Sequence, residues 1–188
     1  MVVEEGISQL PAYSLPLTFE SILLPDSIES ISSHAFEKGA VQCRILRLSA
    51  HVQTIHSRTI WYLEHLSSVT MPKYPDLMLE SGAFSYCQNL KELLFPEGIL
   101  HLKFGTTLID GVKDGPLHFC SLSRITLPST LKYITGDIGQ SVKICFAGTM
   151  EQASQVKISA PKGAFIVKKI WHCSDGDYCP GDTNGITS

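Results

Sequence analysis

Seven histidines (His34, His51, His56, His65, His101, His118, His172) and six cysteines (Cys43, Cys87, Cys120, Cys145, Cys173, Cys179) are the residues of this 188-residue chain best suited to chemistry. Imidazoles and thiolates hold zinc when they fall at short fixed spacings, as in H-E-x-x-H on a helix or in two C-x-x-C pairs. Neither pattern is present. His51 and His56 stand five apart on an expected strand and need not share a face. No G-x-S-x-G, P-loop or G-x-G-x-x-G occurs, so neither a nucleophile elbow nor a phosphate cradle is written. The tail from Cys173 to Gly185 sets Asp175, Asp177 and Asp182 among glycines, as calcium loops do. It lacks the closing Glu of an EF-hand, and a flexible acidic terminus explains it as well. Cys173 and Cys179 either bridge a short loop in an oxidising compartment or remain free thiols. The expectation is no catalytic residue, no metal and no cofactor, with a hydrolase or metalloenzyme disfavoured.

Bulk properties narrow the partners. The chain is 44% hydrophobic and 18% charged, which suits a buried core rather than disorder. Its net charge is −3 and the longest basic pair is Lys168-Lys169. A nucleic-acid partner calls for a basic face, so none is expected. No apolar run approaches the ~18 residues of a membrane span, and no membrane insertion is expected. The opening M-V-V-E-E-G-I-S-Q-L carries acids where a secretory leader has Lys or Arg. Either a cytoplasmic chain or one stripped of its leader fits.

The elements that carry these residues repeat. The residue after an apolar-x-apolar triplet falls at Pro25, Ser49, Pro72, Pro96 and Pro128, in steps of 24, 23, 24 and 32. Ala35-Phe36 and Ala83-Phe84 lie 48 apart, with Thr59-Ile60 midway. Two markers thus share one period. The triplets Ile22-x-Leu24, Leu46-x-Leu48, Val69-x-Met71, Leu93-x-Phe95 and Ile125-x-Leu127 alternate as strands do. Proline ends such a strand because it has no N–H to donate. A second apolar pair follows, as in Ile28/Ile31, Val52/Ile55, Ile99/Leu102 and Leu131/Ile134. Units this short bury their apolar residues only by stacking, which places Phe36, Ile60 and Phe84 in one buried ladder. Cys87 and Cys120 share a slot that suits a small buried thiol. The long step reflects an insertion between Phe104 and Gly115, expected to be an extruded loop.

These residues resemble the BspA-like leucine-rich repeats, whose units run C-x-x-L-x-x-I-x-L-P-x-x-L-x-x-I-x-x-x-A-F. The resemblance covers Phe19 to Phe146 and is best in Ser21–Phe36 and Ala83–Leu100. F-A-G-T-M-E-Q-A-S-Q-V-K-I followed by W-H-C-S-D-G-D resembles the C-terminal cap of such proteins, with Ala153 where tryptophan is frequent. The second unit departs most, with Ser49 for proline and Thr59-Ile60 for A-F. The resemblance implies an extracellular or cell-surface protein of a host-associated or anaerobic microbe, acting in adhesion or protein binding without catalysis. Host extracellular-matrix or cell-surface proteins are the partners it suggests. An intracellular scaffold of the same fold is the alternative.

The expected fold is a mainly β leucine-rich-repeat solenoid of about six coils. Residues 1–16 form an N-terminal cap, 17–146 the repeats, and 147–188 a C-terminal cap and tail. The expected binding surface is one extended, often concave, sheet whose outward column is Leu23, Arg47, Thr70, Leu94 and Thr126, with Cys145 in the last unit. Glu20, Arg44, Glu92 and Arg124 are expected to flank it.

Overall fold

The computed structural model describes residues 3, 5–15, 19–36, 42–105, 107–109, 112–138 and 141–180, with the backbone alone for 107–109 and 112–114. Met1, Pro16, Asp182, Gly185 and Ser188, named above, lie outside the described residues.

Short strands and few helices follow one another along the chain. They are β1 (Gln9–Leu10), β2 (Ser21–Leu23), β3 (Ser30–Ile31), β4 (Ile45–Arg47), β5 (Thr54–Ile55), β6 (Ser68–Thr70), β7 (Asp76–Leu79) and β8 (Glu92–Leu94). Then come β9 (His101–Phe104), β10 (Thr107–Ile109), β11 (Val112–Asp114), β12 (Arg124–Leu127), β13 (Tyr133–Gly136) and β14 (Lys143–Phe146). The last part holds α1 (Met150–Ser154), β15 (Lys157–Ser159), α2 (Phe165–Lys168), β16 (Trp171–His172) and β17 (Asp177–Tyr178).

The triplet strands pair in parallel with their counterparts one unit away. Ile22, Leu46 and Val69 are ladder partners across β2-β4-β6. Leu93, Ile125, Ile144 and Trp171 are partners across β8-β12-β14-β16. The second apolar pair of each unit builds the opposite ladder, β5-β7-β9-β13-β15, through Ile55↔Leu79, Leu77↔Leu102, Leu102↔Ile134 and Ile134↔Ile158. Between the two ladders lies one apolar core.

Each ladder has an interruption. Among the described residues no pairing joins β6 to β8, nor β3 to β5. The expected single extended sheet is therefore two separate sheets. The interruptions are staggered: β5-β7-β9 runs unbroken behind the gap between β6 and β8, and β2-β4-β6 behind that between β3 and β5.

Where the chain turns from one unit to the next, Phe36, Ile60 and Phe84 are fully buried. The Ile60 N–H donates to the Ala83 carbonyl at 2.9 Å and the Phe84 N–H to that of Pro116 at 2.9 Å. Leu117, also buried, extends this ladder after the insertion. The insertion itself holds an antiparallel hairpin, β10 on β11, rather than an irregular loop. The Gly82 N–H donates to the Gly115 carbonyl at 3.1 Å, so the chain rejoins the ladder as the hairpin closes. Thr59 replaces the alanine of its neighbours Ala35 and Ala83, and its buried hydroxyl has no hydrogen-bond partner.

Both ends run alongside the repeats. β1 pairs in parallel with β3, and the Val3 N–H donates to the Leu23 carbonyl at 3.2 Å. Past Phe146, β15 and β16 add one strand to each ladder before β17 returns antiparallel. Helix α1 opens with a reciprocal capping box, in which Thr149 accepts from the Gln152 N–H and the Gln152 side chain accepts from the Thr149 N–H. Helix α2 has no cap from its own Ala164. Its first N–H groups, from Phe165 and Ile166, instead donate to the buried Asp137 carboxylate at 3.0 and 3.1 Å. The Trp171 Nε1–H donates to the Ile166 carbonyl at 3.0 Å and fills the space beneath α2.

Phe84→Ala removes a fully buried ring and is expected to cost about 3–5 kcal/mol. Asp137→Ala orphans buried N–H groups and is expected to cost about 1.5–3 kcal/mol. Thr59→Val keeps the shape without the unpaired hydroxyl and is expected to stabilise by about 1 kcal/mol. Urea melts of the three variants measure these effects. Overlay of Phe84→Ala with the parent would remove the ladder assignment.

Candidate binding surface

The outward residues of the triplet strands fall into two groups. Leu23, Arg47 and Thr70 are ladder partners in β2-β4-β6. Leu94, Thr126 and Cys145 are partners in β8-β12-β14, continued by His172 of β16. Strand pleating puts Leu93 and Phe95 at 1% exposure while Leu94 between them is 62% exposed. Arg47 and Thr70 are exposed, whereas Leu23, Thr126 and Cys145 are half-buried. An Asp26 carboxylate accepts from the Arg47 guanidinium at 3.4 Å, an exposed pair that contributes little to stability.

The flanking column needs a correction. Glu92 and Arg124 are partners, joined by a 2.6 Å ion pair, and Lys143 follows Arg124 in register. The matching positions in the other sheet are Ser21, Ile45 and Ser68. Glu20 and Arg44 sit one residue earlier, just before β2 and β4, where the Arg44 N–H donates to the Glu20 carbonyl at 2.8 Å.

The histidines disperse. His56 Nδ1 lies 3.1 Å from Glu80, His101 Nδ1 lies 3.3 Å from Asp76, and His172 Nδ1 lies 2.8 Å from Asp177. His51 Nδ1 reaches the Asp26 carbonyl at 2.7 Å, away from His56. Partial burial lowers the His101 pKa more than the Asp76 charge raises it. In the tail, Asp175 accepts from the Met150 N–H at 2.7 Å, so this acid serves α1. Among the described residues no group of three metal-type ligands assembles.

The cysteines are free thiols. Cys87 and Cys120 lie in side-chain contact between neighbouring units. Their sulfurs donate to the Ile60 carbonyl at 3.2 Å and the Phe84 carbonyl at 2.8 Å. The Cys120 contact and burial together push the Cys87 pKa up. Burial likewise raises Cys43 to about 11.

An aromatic stripe escaped the sequence reading. Tyr62, Tyr86 and Phe119 recur in the turns with left-handed φ of 62°, 65° and 56°. Tyr86 packs on Tyr62 at 5.8 Å and stacks on Phe119 at 4.9 Å between ring centroids. Trp61 and His118 border the row. The signal was available in Tyr86-Cys87 and Phe119-Cys120, an aromatic immediately before each cysteine of the shared slot.

Parallel ladders built from one recurring unit define a repeat protein. The description "BspA type Leucine rich repeat region" matches residues 12–138 in six copies, and the chain belongs to this family. No curated protein matches the chain. No solved structure matches it either. Repeats of this family generally mediate protein interactions and are often found on bacterial surface proteins. No helix among the described residues is long and apolar enough to cross a membrane.

Two predictions follow from the pleat and the sulfurs. Leu94→Glu is expected to fold and melt near the parent, whereas Leu93→Glu buries an unpaired charge at a cost of several kcal/mol. Circular dichroism melts read both, and collapse of the Leu94 variant would shift the strand phase by one residue. In native protein, Cys87 is expected to alkylate slowly, because it is buried and its thiolate is disfavoured. Mass spectrometry without reductant is expected to find Cys87 and Cys120 uncrosslinked.

Proposed function

We propose that the chain is a leucine-rich-repeat solenoid of about six coils, closed by caps over residues 1–16 and 147–188. It works as a non-enzymatic protein-binding and adhesion module displayed on a microbial cell surface. The contact surface is the outward column Leu23, Arg47, Thr70, Leu94 and Thr126, and its partner is a host extracellular-matrix or cell-surface protein. Exposure of Leu94 carries this reading: a large aliphatic side chain stands in water between two buried neighbours and adds nothing to the core. Arginine is among the side chains enriched where protein interfaces are anchored, and Arg47 stands exposed in the same column. The dispersed histidines and the absence of a nucleophile motif support a role without chemistry.

An intracellular scaffold is the second reading. It is supported by Cys87 and Cys120, free thiols that donate to backbone carbonyls rather than forming a disulfide, the form a reducing compartment keeps.

Capture on immobilised matrix proteins tests the surface. Leu94→Glu is expected to weaken capture about tenfold or more with an unchanged melt. Equal capture by the parent and the variant would sink the column as the contact surface.

A further inference from the structure

A cleft of about 480 Å³ opens where β14, β16 and the end of α2 come together. Lys143, Lys168, Lys169 and His172 line it, and no carboxylate does. Lys143 comes from the start of β14, while Lys168 and Lys169 come from the end of α2. The sequence shows only a basic pair; the fold adds the third ammonium.

The acids nearest in sequence or ladder are already engaged. Lys143 has Arg124 as its ladder partner, and Arg124 holds Glu92 at 2.6 Å. Asp177 is held by His172 at 2.8 Å. Among the described residues, none of the three lysines makes an ion pair. Three like charges around one cleft repel, and an anion entering it relieves that repulsion. Its volume falls in the range of ordinary ligand sites, roughly 300–1,000 Å³.

The cleft is not purely polar. Ile170 is 49% exposed and lies beside the lysines, with Leu122 and Val142 beneath. A ligand matched to it carries carboxylates for the ammonium groups and an aliphatic side chain for Ile170. An acidic peptide segment offers both, whereas a sulfated sugar offers only the charge.

We propose that this cleft is a binding site for an acidic, aliphatic-containing peptide segment of a protein partner. It is a site additional to the outward column, and peptide binding here does not require Leu94. Lys143, Lys168 and Lys169 supply the charge, and Ile170 the apolar contact.

Fluorescence anisotropy with a labelled peptide of alternating glutamate and leucine tests this. Saturable binding that weakens with added salt is expected. The triple variant Lys143→Gln, Lys168→Gln, Lys169→Gln is expected to bind about tenfold or more weakly with an unchanged melt. Ile170→Ser, which leaves every charge in place, is expected to weaken binding several-fold. Leu94→Glu is expected to bind the peptide as the parent does, so that this site and the outward column stand or fall separately. The inference is overturned by no saturable binding to the parent protein. Unchanged affinity in the triple variant overturns it as well, as does tight binding of heparin with none of the peptide. Should the triple variant melt early, the single variants and Ile170→Ser decide.

Discussion

A unit of about 24 residues cannot shield its own inward side chains, so every strand's apolar residue is completed by its counterpart one unit away. Ile22 needs Leu46, Leu93 needs Ile125, and Ile144 needs Trp171. The same step satisfies the backbone, since ladder N–H and carbonyl groups find partners in the neighbouring repeat everywhere but at the two interruptions. Period, parallel pairing and burial are thus one constraint. It also accounts for the tolerance of the insertion: the β10–β11 hairpin is added between ladder positions, and Gly115 and Pro116 rejoin the stack beneath Gly82 and Phe84.

Staggering of the ladder interruptions has a mechanical consequence. A gap between β6 and β8 would divide the stack if the opposite ladder were also open there. It is not: β7 pairs with β9, and the turn bond from Phe84 to Pro116 crosses the same level. The outward surface pays no such regard to continuity. Its two halves, Leu23-Arg47-Thr70 and Leu94-Thr126-Cys145, belong to different sheets and differ in character. Arg47 is tied to Asp26 in the first, while the second runs on to His172 and the lysine-lined cleft.

Polar residues close the stack where apolar ones cannot. Asp137 takes the first N–H groups of α2, Asp175 that of Met150, and the Thr149–Gln152 box opens α1. Acids that in sequence look free for a cation are committed to helix starts and to His172. The sulfurs are similarly absorbed: Cys87 and Cys120 fill a slot between units and spend their hydrogens on carbonyls within the turns.

Much of this was legible in one dimension, for a physical reason. Strand alternation has a period of two and proline cannot continue a ladder, so Leu93, Leu94 and Phe95 declare their faces locally. Recurrence of the same phrase then names each strand's partner, because identical units stack in identical register. What the sequence could not determine lies where the repeat fails. The third unit lacks the usual second pair and supplies Leu77 and Leu79 instead, which only pairing to Leu102 and Ile55 reveals. Division of the outward column into two sheets depends on whether β6 and β8 come within bonding distance, and their residue types do not encode that. The Lys143–Lys168–Lys169 cleft is tertiary in the same sense: its charges lie on β14 and α2, and the packing of the last strands on the ladder decides that they meet.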